Sequence, residues 1–219
     1  MNNEQELHPS TGIDAGSFGT WLAEAREALR TNKGMKVPCG DCVGCCTSGY
    51  SIFLRPHDPA LDIVPTKLLC SVEGLAYPHA KMNPLPNGHC PMFENGKCSI
   101  YTSRPQTCLD YDCRVFAAAG IDAGATRLVI NQRIRQWQFS YESEEELNAH
   151  HAIRSAAAFI IKHAHRFPEN WNTTASSAVA VLAIKAQQLF IGSDLQQEND
   201  AVMLNRLIEA VQFFDSTIC

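Results

Sequence analysis

The sequence has little excess charge and no long apolar run. Of its 219 residues 19% are charged, and the formal net charge is −5, so we expect neither a nucleic acid nor an anionic membrane as partner. No run of about 18 apolar residues occurs, which predicts no transmembrane helix. Residues 1–11 lack the basic and apolar regions of a secretory signal. Together these absences favour a cytoplasmic location.

The chain also lacks the short motifs of several common enzyme classes. It contains no Gly-rich phosphate loop, no Gly-x-Ser-x-Gly nucleophile turn and no His-Glu-x-x-His zinc motif. The pattern Gly120-x3-Gly124 is too weak to predict a cofactor site. The sequence therefore identifies no catalytic residue.

Cysteine, by contrast, is abundant and clustered. Nine of the ten cysteines lie between Cys39 and Cys113, and the tenth is Cys219. In a reducing compartment such clusters more often bind metal than form disulfides. We expect Cys70, which lies in an apolar run, to be a core residue and Cys219 to be a free thiol. The other eight fall into three groups of candidate metal ligands.

The first group is Cys39-Gly-Asp-Cys42-Val-Gly-Cys45-Cys46. Each Cys-x2-Cys turn folds its second sulfur back beside the first, so two overlapping turns bring three thiolates together. Adjacent side chains diverge, so Cys45 and Cys46 do not easily face the same ion. One of them is therefore expected to serve a second metal, to bridge two metals, or to point into the core.

The second group, Cys90 and Cys98, flanks a predicted hairpin. Asn95-Gly96 between short apolar stretches is typical of a type I′ turn, and it pairs Phe93 with Cys98. On an ideal ribbon the two sulfurs would lie on opposite faces. Either Pro91 breaks that register or the two cysteines serve different places.

The third group, Cys108 and Cys113, follows a predicted helix start. Ser103 is the candidate N-cap and Pro105 lies in the first turn. A separation of five residues is about 140° around a helix. The two cysteines can therefore share a site only if this helix is short or distorted.

The pattern of these eight cysteines, with Ile100-Tyr101 and Arg104-Pro105 between them, resembles the CxxCxxCC family of zinc- or iron-chelating proteins, the YkgJ type. The resemblance covers residues 39–113. It implies a bacterial metal-binding protein with eight candidate ligands: Cys39, Cys42, Cys45, Cys46, Cys90, Cys98, Cys108 and Cys113. The same region is similar to one in flagellin lysine N-methylases, which implies that a catalytic role is conceivable.

The residues leave the metal open between zinc and iron. Two Zn²⁺ in Cys₄ sites would carry a net charge of about −4, whereas one [4Fe–4S]²⁺ cluster with four thiolates would carry about −2. The cations available for compensation are Arg104, Arg114, Lys97 and Lys36. The resemblance narrowly favours an iron centre, such as an iron–sulfur cluster, over zinc.

The predicted fold is mainly α, with a small irregular Cys-rich, metal-stabilised core that contains a short β-hairpin. Residues 14–34, with Asp14 as cap, and three segments at 144–166, 174–191 and 198–214 have helical patterns, and 135–142 alternates like a strand. We divide the chain into an N-terminal helix (1–35), a cysteine-cluster metal-binding module (36–120) and a helical segment packed on it (121–219). The histidines at 150, 151, 163 and 165 are interpreted as helix-surface residues.

Three hypotheses for the function follow. The first is a cytoplasmic protein whose eight-cysteine cluster chelates iron or zinc. The second, based on the methylase resemblance, is an iron-dependent group-transfer or redox enzyme. The third is a structural zinc module whose function is an interaction. The sequence identifies no protein partner and no small-molecule substrate.

Overall fold

The structure is a computed structural model and describes residues 12–31, 33–192 and 199–217. Helices make up about 53% of it, and the sheets are small. This confirms the mainly α class and the short antiparallel hairpin, while the metal-stabilised character of the core remains a prediction.

The chain begins with a strand, β1 (Ile13–Ser17), followed directly by helix α1 (Phe18–Thr31). The helix starts later than predicted because Asp14 is part of the strand, where its carboxylate accepts the Gly16 amide at 2.8 Å. Helix α1 buries one face, with side chains at the i, i+3, i+4 and i+7 spacing of a core stripe: Phe18, Trp21, Leu22 and Ala25.

The middle of the chain holds short helices and two small sheets. Strands β2 (Ile52–Leu54), β3 (Cys70–Ser71) and β4 (Ala80–Met82) form an antiparallel sheet in the order β2-β4-β3. Strands β5 (Phe93–Glu94) and β6 (Lys97–Cys98) form the hairpin. Helices α2 (Gln106–Asp110), α3 (Arg114–Ala119) and α4 (Leu128–Gln136) follow.

The C-terminal part contains one more strand and three longer helices. Strand β7 (Trp137–Ser140) pairs in parallel with β1, and α5 (Glu144–Lys162), α6 (Ser176–Ala186) and α7 (Asp200–Ser216) confirm the three predicted helices. Ser143 caps α5 by accepting the amide of Glu146. Helix α6 is the central element, packed against α1, α3, α5 and α7.

The described residues form two hydrophobic cores. The main core joins the helices and includes Cys113. The smaller core lies beneath the three-stranded sheet and consists of Leu54, Ala60, Val64, Ala80, Met82, Met92 and Ile100. Cys90 and Cys98 are partly buried against this smaller core. The segment between the first and second cysteine groups, residues 47–89, thus supplies most of the apolar side chains against which Cys90 and Cys98 pack.

No helix within residues 12–31, 33–192 and 199–217 combines the length and the apolar composition that crossing a membrane requires.

Candidate metal centre

The first cysteine group forms the expected turn. The amide of Cys42 donates to the carbonyl of Cys39 at 3.0 Å, and Gly40 between them has φ 54°, which favours glycine. The amide of Gly44 then donates to the Cys42 sulfur at 3.4 Å. A 3₁₀ turn at Gly44–Thr47 follows and carries Cys45 and Cys46. This backbone holds the sulfur of Cys42 in a defined direction.

The second group is joined to the first through Cys46. The amide of Cys90 donates to the Cys46 carbonyl at 2.7 Å. The hairpin pairs Phe93 with Cys98, as predicted, and Asn95 and Gly96 have the positive φ angles of a type I′ turn. Cys90 precedes the paired residues, so the alternation of an ideal ribbon does not apply to it. Both cysteines consequently line the same cavity.

The third group is divided between two places. Cys108 lies on α2, whose first amide, that of Gln106, donates to Asp58 at 2.7 Å. Ser103 is therefore not the cap of this helix, because it lies in a preceding 3₁₀ turn (Tyr101–Ser103). The carboxylate of Asp58 takes the place of the expected cap. Cys113 lies beyond the end of α2, in the main core.

Five of the eight cysteines line one cavity of about 90 Å³, which we call the thiol cavity: Cys45, Cys46, Cys90, Cys98 and Cys108. The rest of the wall is largely apolar and aromatic, and includes Tyr50, Ile52, Met82, Met92, Ile100, Arg104 and Tyr111. The hydroxyls of Tyr50 and Tyr111 lie 2.8 Å apart. The Arg127 guanidinium lies 3.8 Å above the Tyr50 ring.

Thiol–thiol hydrogen bonds centre on Cys46. Its side chain bonds those of Cys45 and Cys98, and this lowers the pKa of Cys45 to about 7 and that of Cys98 to about 6. The same two bonds, followed by burial, raise the pKa of Cys46. Burial raises the pKa of Cys108 to about 12 and also raises that of Cys90. The hydrogen bonds from Cys46 therefore favour the thiolate forms of Cys45 and Cys98 over those of the other sulfurs in the cavity.

Of the remaining three cysteines, Cys39 and Cys42 act electrostatically on Cys113. Burial raises the pKa of Cys113 to about 12, and the charges of Cys39 and Cys42 contribute to the increase. The Trp137 indole opposes it by donating from Nε1 to the Cys113 sulfur at 3.1 Å. Burial also raises the pKa of Cys39, with Cys45 as the strongest charged contributor. The charge of Cys45 thus acts on sulfurs of both groups.

Of the four cations expected to compensate the thiolate charge, one, Arg104, lies beside the sulfurs of the thiol cavity. Arg104 lines the thiol cavity, and its charge acts to lower the pKa of Cys98 and of Cys108. Arg114 instead forms a buried ion pair with Asp112 at 2.9 Å and donates to two backbone carbonyls. The sequence did not predict Arg133, which donates to the Cys39 carbonyl at 2.8 Å.

Several expectations outside the eight cysteines are wrong. Cys70 is exposed on β3 rather than buried. His150 and His163 are buried, at 8% and 6% exposure, rather than on a helix surface. Cys219 lies outside the described residues. Within the described ranges, no three or more His, Cys, Asp or Glu side chains form a group that could hold a metal ion.

The chain was compared with known proteins in three ways. No family model matches it, and neither does any curated protein or solved structure. The resemblance to the CxxCxxCC family therefore remains a prediction, carried by the spacing of the eight cysteines and the residues between them.

Proposed function

We propose that this protein binds a polynuclear iron–sulfur cluster in the thiol cavity. The observation that carries the proposal is a cavity of about 90 Å³ lined by five cysteines and otherwise mainly by apolar and aromatic side chains. Iron–sulfur clusters are held by cysteine thiolates, commonly four. Several cysteines beside a largely apolar space are therefore the kind of chemical environment in which such a cluster is held.

The size of the cavity favours a cluster over a single ion at this place. One water molecule needs about 10–15 Å³ of such volume, so the cavity has room for several atoms of that size. A zinc ion in a closed Cys₄ site has sulfurs at about 2.3 Å and leaves no comparable space between them. A group of several iron and sulfide atoms fits the space between these five cysteines better.

We assign four cysteines to the cluster: Cys46, Cys90, Cys98 and Cys108. All four are partly buried, whereas Cys45 is exposed. The backbone bond from Cys90 to Cys46 and the contact between the Cys46 and Cys98 side chains support their convergence. Arg104 would offset part of the roughly −2 charge of a [4Fe–4S]²⁺ centre with four thiolates.

The other four cysteines are assigned to a second site for a single ion, either zinc or iron: Cys39, Cys42, Cys45 and Cys113. The observation that favours a mononuclear site is the Cys39–Cys42 turn with an amide donated to the Cys42 sulfur, because such turns hold two sulfurs on one ion. Cys45, which is exposed and whose charge acts on Cys39, would then serve the second site, while its neighbour Cys46 serves the first.

Metal and sulfide analysis of anaerobically purified protein tests this proposal. We expect iron with acid-labile sulfide, a brown colour, and one further equivalent of zinc or iron. Replacement of Cys98 by Ser should abolish the sulfide and the colour, whereas Cys70→Ser, a matched exposed cysteine outside both sites, should leave them unchanged. Two equivalents of zinc without iron or sulfide would contradict the cluster.

The assignment of the two sites has its own test. Cys42→Ser should release the single ion and retain the sulfide, and Cys46→Ser should do the reverse. If both variants lost the same metal, the division of the eight cysteines into two sites would be wrong.

A further inference from the structure

Resting on the second site of the proposed function, we infer that Trp137 is a positioning residue for Cys113. Its indole N–H donates to the Cys113 sulfur at 3.1 Å, and both residues are buried, at 7% and 6% exposure. Trp137 lies outside the cysteine-rich region, 24 residues beyond Cys113 in the sequence. We call the eight candidate ligands the cysteine array. The bond thus connects this array to the C-terminal segment of residues 121–219.

The indole is held in place from several directions. Trp137 is the first residue of β7 and pairs with Ile13 of β1. Its amide donates to the carbonyl of Ile134, which fixes the chain where α4 ends and β7 begins. The guanidinium of Arg133 lies over its ring, 4.7 Å from the centroid. A donor fixed in this way determines where the sulfur it binds can lie.

Arg133 extends the same arrangement to the other end of the cysteine array. While its guanidinium lies over the Trp137 ring, its Nη2 donates to the Cys39 carbonyl at 2.8 Å. Its Nε is buried and lacks a hydrogen-bond partner among the described residues. The junction between α4 and β7 therefore contacts both Cys39 and Cys113, which lie far apart in sequence.

The chemical consequence concerns the charge on the Cys113 sulfur. An N–H donor withdraws electron density from a thiolate, and residues that hydrogen-bond a metal ligand orient it and tune the metal. Loss of such a residue typically weakens metal binding about 10- to 100-fold. In this buried place the bond is stronger than at an exposed one, because the local dielectric is low.

Cobalt binding to the metal-free full-length protein tests the inference, because Co²⁺ bound by thiolates absorbs through sulfur-to-metal charge transfer. We compare the wild type with Trp137→Phe, which retains an aromatic ring but removes the donor. Trp171→Phe is the matched control, since the Trp171 ring stacks on Phe167. The spectral difference between wild type and Cys113→Ser identifies the bands that depend on this sulfur.

In Trp137→Phe we expect those bands to move to lower energy, because a sulfur without the donor gives up its electrons more easily. Co²⁺ affinity should fall by about 10-fold or more, with the bound stoichiometry retained at saturation. A role in packing alone would lower stability without moving the bands. Bands and affinity equal to those of the wild type would overturn the inference and leave the proposed function intact, whereas a wild type without any thiolate–cobalt bands would overturn both.

A measurement on the unaltered protein covers the case in which Trp137→Phe does not fold. In nitrogen-15-labelled protein loaded with cadmium-113, the Trp137 indole proton should show scalar coupling to the metal through the sulfur. The indole protons of Trp21 and Trp171 should show none, since Trp21 donates to Asp112 instead. Absence of the coupling from the Trp137 signal would equally overturn the inference.

Discussion

Cys46 bonds to three other cysteines of the thiol cavity. Its carbonyl accepts the Cys90 amide at 2.7 Å, and its side chain bonds those of Cys45 and Cys98. A single residue thereby joins the first cysteine turn to the hairpin. Replacement of Cys46 by Ser preserves the backbone bond and removes only the sulfur, so it separates the proposed role in metal binding from the role in folding.

At Asp112 the important interaction is a buried ion pair. Asp112 and Arg114 are 3% and 5% exposed, and Asp112 also accepts the Trp21 indole N–H at 2.9 Å. Asp112→Ala leaves the guanidinium charge buried without its partner, which costs about 3–5 kcal/mol of unfolding free energy. Urea unfolding measures this cost.

The exposed pair between Arg135 and Asp122, at 2.7 Å, provides the control. Asp122→Ala should change the free energy of unfolding by at most about 1 kcal/mol. Equal effects of the Asp112 and Asp122 substitutions would contradict the importance given to the buried pair.

His150 makes the stability dependent on pH. Burial, followed by the charges of Arg154 and His151, lowers its pKa from 6.5 to about 4. Between these values the unfolded chain binds a proton that the folded protein does not, so stability falls as the pH falls through this range. His150 changes the free energy of unfolding by at most about 1.4 kcal/mol per pH unit. Above the pKa of the unfolded chain, His150 adds no pH dependence, because it is neutral in both states.

Urea unfolding at several pH values checks this dependence. His150→Phe retains the stacking on Phe18, whose ring centroid lies 4.5 Å away, and should flatten the profile between pH 6.5 and 4. His151→Phe at the neighbouring exposed position should not. Parallel profiles for the wild type and His150→Phe would show that this residue titrates normally.

At the scale of elements, helix α2 depends on a cap supplied from a distant segment. Asp58 is buried and accepts the amides of Arg55 and Gln106, at 2.6 and 2.7 Å. Asp58→Ala should destabilise the protein by about 1 kcal/mol and, because α2 carries Cys108, should also reduce cluster content. Asp58→Asn, which retains an acceptor, should reduce both effects.

Asp62→Ala, an exposed carboxylate in the following 3₁₀ turn, is the control for that prediction. Thermal unfolding and iron content measure the two effects. If Asp58→Ala retained full iron content, the position of Cys108 would not depend on this cap.

The predictable elements are those determined by local patterns. The three C-terminal helices and the Asn95-Gly96 hairpin follow from apolar spacing and turn chemistry, which act over a few residues. The cap on α2 was not predictable, because its carboxylate comes from 48 residues earlier in the chain. The Trp137–Cys113 bond is equally non-local, and a tryptophan in an alternating strand pattern ordinarily indicates packing.

Burial was wrongly predicted where packing rather than sequence context decides it. Cys70 occurs in an apolar run, yet β3 is short and lies at the edge of its sheet, which leaves this residue exposed. His150 occurs on a polar helix start, yet its ring stacks on those of Phe18 and Tyr141 and meets the edge of Phe139. Neither the exposure of Cys70 nor the burial of His150 can be inferred from the residues next to it in the sequence.

At the scale of the whole molecule, the two hydrophobic cores differ greatly in size. The main core includes most of the buried helical side chains, whereas the core under the small sheet has seven buried residues. A core that small supplies little stability, so we expect the region around the thiol cavity to depend on its metal. The helices should remain folded without it.

Hydrogen exchange before and after anaerobic chelation checks this expectation. Peptides from residues 39–113 should lose protection, while those from α5, α6 and α7 should retain it, and the helical circular dichroism should change little. A single cooperative loss of protection over all of these peptides would show that the metal supports the whole fold.

The five sulfurs around the thiol cavity have a consequence for the order of events during synthesis. They come from three separate stretches of chain, and the last of them, Cys108, is placed by a helix whose cap lies in the segment between the first two. A nascent chain that ends before α2 lacks Cys108 and therefore cannot present all five sulfurs. Insertion of the proposed cluster would therefore require a chain that extends at least through α2 and whose segment around Asp58 has already folded against that helix.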